Sequence, residues 1–99
     1  MISVEQVTDV LRQVLDPELG INIVDLGLIY EVQVRRDRVV YVRMTLTTPG
    51  CPLHDTIIGG VKRAIQEQCQ ITVEVDLVWE PAWTPERMSH DAKEMLGFF

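Results

Sequence analysis

The chain has only two cysteines, Cys51 and Cys69. Four sulfur ligands to one metal therefore cannot come from a single copy. A disulfide fails on reach. Apolar residues at helical spacing predict a helix over 54–69, with Cys51 ahead of one end and Cys69 at the other. At ~1.5 Å per residue the two lie roughly 20 Å or more apart, and a disulfide needs Cα atoms within about 7 Å. A secretory signal is not visible, because "MISVEQVTDV" has neither a basic start nor a long apolar run. Free thiols without a signal predict a reducing, cytoplasmic setting. There is no run of about 18 apolar residues, so no membrane span is expected. Bases are scarce as well. Nine Lys and Arg stand against fifteen Asp and Glu, for a net charge of −6. Only Arg35, Arg36 and Arg38 cluster, and phosphate backbones repel such a chain. Nucleic acid is not expected as a partner.

What is present fits one domain spanning 1–99. A hydrophobic fraction of 46% supports a core without disulfides or a structural metal, with little to spare. Residues 3–15 read as a helix. Ser3 and Gln6 form a capping-box pattern, and Val4, Val7, Val10, Leu11, Val14 and Leu15 recur along one face. Pro17 ends that helix by disfavouring helical geometry at Asp16. "LIYEVQVRR" alternates, with Tyr30, Val32 and Val34 on one side. "VVYVRMTLT" alternates again, with Val40, Val42, Met44 and Leu46 inward. The 54–69 helix turns Ile57, Ile58, Val61, Ala64 and Ile65 inward, and close packing of Gly59 and Gly60 against the sheet would explain that pair. "ITVEVDL" is the third strand. The order α-β-β-α-β predicts an α+β fold, a three-stranded sheet with two helices on one face. An aromatic tail follows, with a short helix over about 85–95. Its Trp79, Trp83 and Met88 either fold back on the domain or offer a partner surface.

The chemistry concentrates in "TTPGCPLHD". Cys51 stands between the second strand and the second helix. Helix N-termini carry partial positive charge and free N–H groups, which lower a thiol pKa. Thr47 and Thr48 add hydroxyls. Cys51 is either a reactive or metal-binding thiolate or a small buried turn residue. His54, three residues on, makes a Cys-x-x-His pair, but no second pair completes a zinc or iron site. Asp16, Glu18 and Asp25 make the first loop acidic. They serve either turn chemistry or, if they approach Cys51, as hard metal ligands or a base.

Three segments in register, "DPELGINIVDLGLIY", "TTPGCPL" and "VWEPAWTPERMS", resemble the small iron–sulfur cluster assembly domain family of the SufT and PaaD type. The resemblance covers nearly the whole chain and implies a fold like the C-terminal domain of NifU-type scaffolds. It carries the motif cysteine onto Cys51, with Thr47 and Thr48 beside it. The first-loop acids become Asp16 and Glu18, followed by Leu19, and Asp25 falls in "VDLGLIY". These are expected to form one patch. PaaD proper is longer and carries a cysteine-rich tail that this sequence lacks, so the resemblance is closer to SufT-like members. Ala82 stands where many relatives have a second proline.

The resemblance implies an accessory role in assembling or maturing iron–sulfur proteins, not an enzyme. Cys51 would hold iron or a cluster transiently. The implied partners are the assembly machinery, client apo-proteins and a P-loop NTPase cluster carrier. One thiolate per chain predicts a cluster bridged between two copies or between this protein and a carrier. Two alternatives stand beside this. Cys51 could be the nucleophile of a sulfur or acyl transferase, with His54 or a carboxylate as base. The domain could instead be an interaction module that binds through its aromatic tail.

Overall fold

The structure, a computed structural model, describes residues 2–17, 19–35, 38–47 and 54–97. Helix α1 runs Val4–Leu11 and starts as its sequence predicts. Ser3 Oγ accepts the Gln6 N–H at 3.1 Å, and Gln6 Oε1 accepts the Ser3 N–H at 2.8 Å. These two bonds satisfy donors that a helix start otherwise leaves orphaned. The helix stops four residues earlier than its apolar pattern predicts. Gln13 and Val14 donate to Val10 and Leu11, a tightened last turn. The chain then turns to bond with 21–23. Leu15 bridges Asn22, Asp16 N–H donates to Ile21, and Ile23 N–H donates to Val14. Leu15 therefore leaves the helical face and is 55% exposed.

Strands β1 (Ile29–Val34) and β2 (Val39–Met44) pair antiparallel, and β2 pairs parallel with β3 (Thr72–Leu77). The order is β1-β2-β3 with β2 central. Helix α2, His54–Cys69, lies in the connection between the parallel strands. Period-two alternation holds along β2, where Val40, Val42 and Met44 are fully buried. In β1 it fails at one point. A register irregularity between Ile29 and Glu31 turns Tyr30 away from the side expected for it. Ile29, Val32 and Val34 pack against the core, while Tyr30 lines a polar groove with Glu31 and Arg43.

The core lies between the sheet and the helices. Val7 and Leu11 of α1 meet Ile57, Val61 and Ile65 of α2 there. Ile21, Ile23, Leu26 and Leu28 are buried with them, so the segment that reads as a turn-rich acidic loop is also a hydrophobic plug. The tail folds back on this plug. The expected 85–95 helix is split into a 3-10 turn at Pro85–Arg87 and helix α3, His90–Leu96. The split falls at Ser89, whose Oγ accepts the Ala92 N–H and so starts a new helix. Among the described residues no helix is long and apolar enough to cross a membrane.

Candidate functional site

Asp16 sits at the turn after α1 and is only 6% exposed. Its Oδ1 accepts the Leu19 N–H at 3.0 Å, and its carbonyl accepts the Gly20 N–H at 2.8 Å. Both bonds close the turn from within, the local chemistry that favours Asp before Pro. Leu19 remains partly exposed on this turn. Asp25 has a different neighbourhood. Asn22 Nδ2 donates to Asp25 Oδ2 at 2.8 Å, and the Asp25 N–H returns a bond to Asn22 Oδ1 at 2.9 Å. The Asp25 carbonyl accepts the Ser89 N–H at 2.7 Å, which ties the loop to the cap of α3.

The next residues are tied in the same way. Trp83 Nε1–H donates to the Leu26 carbonyl at 2.7 Å. Gly27 has φ +80, and a Cβ there would run into the backbone carbonyl of Arg87. No other residue fits that position without moving the tail. Leu28 accepts the N–H of Thr45, just past β2, at 2.9 Å. Met88 is 4% exposed and belongs to the core. Trp79 keeps an exposed face. Sequence reasoning missed Asn22 and Ser89. The Asn-x-x-Asp spacing is a turn signal that could have found the first, and the Ser-x-x-Ala cap the second.

Thr47 is described at the exit from β2, and α2 opens at His54. Glu18, Thr48 and Cys51 lie outside the described residues. Cys69 is a free, half-buried thiol at the far end of α2. Among the described residues no group of three or more His, Cys, Asp or Glu is placed to hold a metal ion.

Among the described residues, two grooves bear on the site. One, of about 410 Å³, runs between the first loop and α2. Val14, Leu15 and Pro17 wall it, Gly59 and Gly60 form its floor, and Asp55 and Thr56 of the first turn of α2 border it. The two glycines therefore face this groove rather than the sheet. A Cβ at Gly59 would meet nothing within 4 Å, and one at Gly60 only Val14 Cγ1 at 3.5 Å. The groove flanks Asp16 in sequence on one side and follows the Cys51 segment on the other.

The second groove, about 430 Å³, lies where the tail crosses the polar side of the sheet. Tyr30 Oη–H donates to the Pro81 carbonyl at 2.8 Å, and the Arg87 guanidinium stands 4.7 Å over the Tyr30 ring. Arg43 lies 3.4 Å from Glu31 and 3.8 Å from Asp76. Its guanidinium is held above its ordinary value, first by the hydrogen bond to Tyr41 and then by neighbouring negative charge.

Comparison with known proteins agrees with this architecture. The family described as iron–sulfur cluster assembly protein matches residues 4–82. The Fe-S protein maturation auxiliary factor YitW of Bacillus subtilis is 45% identical over 94 residues, 94% of this chain and 92% of that protein. The Fe-S protein maturation auxiliary factor SufT of Staphylococcus aureus is 51% identical over 85 residues, 85% of this chain and 97% of that protein. The crystal structure of a domain of unknown function, DUF59, from Bacillus anthracis superposes with a TM-score of 0.91 at 38% identity, covering 96% of this chain and 92% of that one. The α+β order, the matched span and these similarities together place the chain in the iron–sulfur cluster assembly protein family.

Proposed function

We propose that this chain is an accessory factor in the maturation of iron–sulfur proteins and that Cys51 is the thiolate through which it takes iron or a cluster as cargo. The observation that supports this reading is the meeting of the first loop with the first turn of α2. Val14, Leu15 and Pro17, around Asp16 in sequence, line one groove with Asp55 and Thr56 of the first turn of α2, the turn that the second motif segment precedes in sequence. Cys51 stands three positions ahead of the helix start, close in sequence to its positive end.

In this reading Asp16 is a positioning residue, since its carboxylate accepts the Leu19 N–H. Glu18, Thr47 and Thr48 are the oxygen donors that this reading assigns to the cargo. One soft ligand with hard oxygen donors binds iron weakly, which suits a carrier that must release it. The role is a non-catalytic one. Its partners are the assembly machinery, client apo-proteins and a P-loop NTPase carrier, and a second thiolate comes from another copy or from the carrier.

Anaerobic reconstitution of wild type and Cys51→Ser with iron and sulfide tests this. Visible absorption, and iron and sulfide per chain after desalting, are the readouts. Wild type coloured and variant colourless is the expected result, with about half a [2Fe–2S] per chain for a bridged pair. Two colourless proteins, or two equally coloured ones, would remove Cys51 as the cargo ligand.

A second reading, an interaction module, is favoured by one observation. Trp79 is 37% exposed while Trp83 and Met88 are built into the fold. Among the described residues, Trp79 is then the tail aromatic left for a partner, with Trp83 and Met88 supporting the segment that presents it.

A further inference from the structure

Two consecutive glycines weaken a helix interior, and in α2 no close packing offsets the loss at Gly59, where a Cβ would meet open space. What the absent side chains do is leave the α2 backbone as the floor of the groove. Leu15 stands over this floor, more than half exposed. Leu15 is an apolar wall residue whose outward position is fixed by the Asn22 bridge. Asp55 and Arg63, both exposed, mark the two ends of the groove. Neither makes an ion pair or a side-chain hydrogen bond among the described residues. The groove is thus apolar in the middle, acidic at one end and basic at the other.

We infer that this groove docks an extended segment of another polypeptide, one that reads basic–x–aliphatic–x–acidic. The spacing follows from geometry. Asp55 and Arg63 are eight residues apart on one helix, which is ~12 Å at ~1.5 Å per residue. Four residues of extended chain cover ~13 Å at ~3.3 Å each. Side chains at i, i+2 and i+4 of such a segment share one face. A basic residue at i meets Asp55 and an acidic residue at i+4 meets Arg63. The side chain at i+2 falls on Gly59, the midpoint, and packs beside Leu15. The reverse chain direction presents the same three groups in the opposite order. A second copy of this chain is a poor occupant, because two chains of net charge −6 repel each other when no cationic cargo lies between them. The inference does not depend on Cys51 holding iron, and its test contains no metal.

The test is a titration of the ¹⁵N-labelled full chain with two capped peptides, Ser-Lys-Ser-Leu-Ser-Glu-Ser and its reverse. Saturating shifts at the Leu15, Gly59, Gly60 and Arg63 amides are expected with one of the two. Gly59→Leu fills the floor at an open position and should weaken that binding about tenfold or more. Arg63→Glu should weaken it roughly threefold, with recovery when the peptide's Glu is replaced by Lys. Recovery by matched charge is an effect that mere misfolding cannot give. No shifts at these amides with either peptide would overturn the inference. Equal binding by a peptide with Ser in place of Leu would also overturn it. Self-association of the wild type through the same amides, lost in Gly59→Leu, would give the groove to a second copy and overturn the assignment to another chain.

Discussion

Gly27→Ala should be the most damaging Gly→Ala change among the described glycines. Gly27 has φ +80, and placing a Cβ residue there costs about 1–2 kcal/mol. The contact adds to this. The new Cβ would overlap the Arg87 carbonyl, main chain on both sides, so no rotamer change relieves it. The tail must withdraw instead. Withdrawal breaks the Trp83-to-Leu26 and Ser89-to-Asp25 hydrogen bonds, about 0.5–1.5 kcal/mol each. It also exposes Met88, a burial of about 1.5–3 kcal/mol. The loss is then at least about 3 kcal/mol, or roughly 12–24 °C in melting temperature for a domain this size. Gly20→Ala is the control. It has φ +69 but open space around it, so only the backbone cost of about 1–2 kcal/mol applies. Far-UV circular dichroism follows the unfolding, and tryptophan emission follows the tail. If Gly27→Ala melts within a few degrees of Gly20→Ala and leaves the emission unchanged, the reasoning about the tail contact is wrong.

Two further substitutions test neighbouring parts of the structure. Trp83→Phe keeps most of the apolar ring but strands the Leu26 carbonyl, and should cost about 1–3 kcal/mol. Hydrogen exchange at residues 25–28 should accelerate ahead of exchange in β2. Gly59→Ala should instead stabilise by about 0.5–1 kcal/mol, because its Cβ enters open space in a helix. Thermal unfolding should show a rise of roughly 2–8 °C, and a fall would mean that Gly59 is packed after all.

The regular elements were legible because their burial follows a period. Val40, Val42, Met44 and Leu46 alternate in sequence and are all buried on β2 and its continuation. Ile57, Val61 and Ile65 repeat every four residues and form the buried stripe of α2. The segment 21–28 was not legible as core. Ile21, Ile23, Leu26 and Leu28 lie on successive turns, where neither period applies, yet all four are buried. The end of α1 was obscured for a related reason. Val14 and Leu15 keep the helical spacing, but their backbone groups bond to 22 and 23, a partnership that local sequence does not record. Within the site, Asp16 and Asp25 stood out as acids, and the structure adds how each is engaged. Gly59 and Gly60 stood out as helix-weakening, and the groove they floor became visible only once loop and helix were assembled.

Residues 25–28 connect the tail to the exit of β2. Asp25 takes a bond from the cap of α3, Leu26 from Trp83, and Gly27 receives the Arg87 backbone. Leu28 takes the N–H of Thr45, whose successors Leu46 and Thr47 lead toward Cys51. Four adjacent residues thus join the tail to the strand exit that precedes the cysteine. Tail substitutions should be felt there without touching any cargo. Trp83→Ala therefore cannot serve as evidence of a docking surface, since it removes a strut of the fold. Trp79→Ala can, because Trp79 makes no side-chain hydrogen bond to that network and keeps an exposed face. Loss of partner binding with reconstitution unchanged would assign Trp79 to a partner contact, whereas loss of both would mean that the aromatic tail acts through the fold.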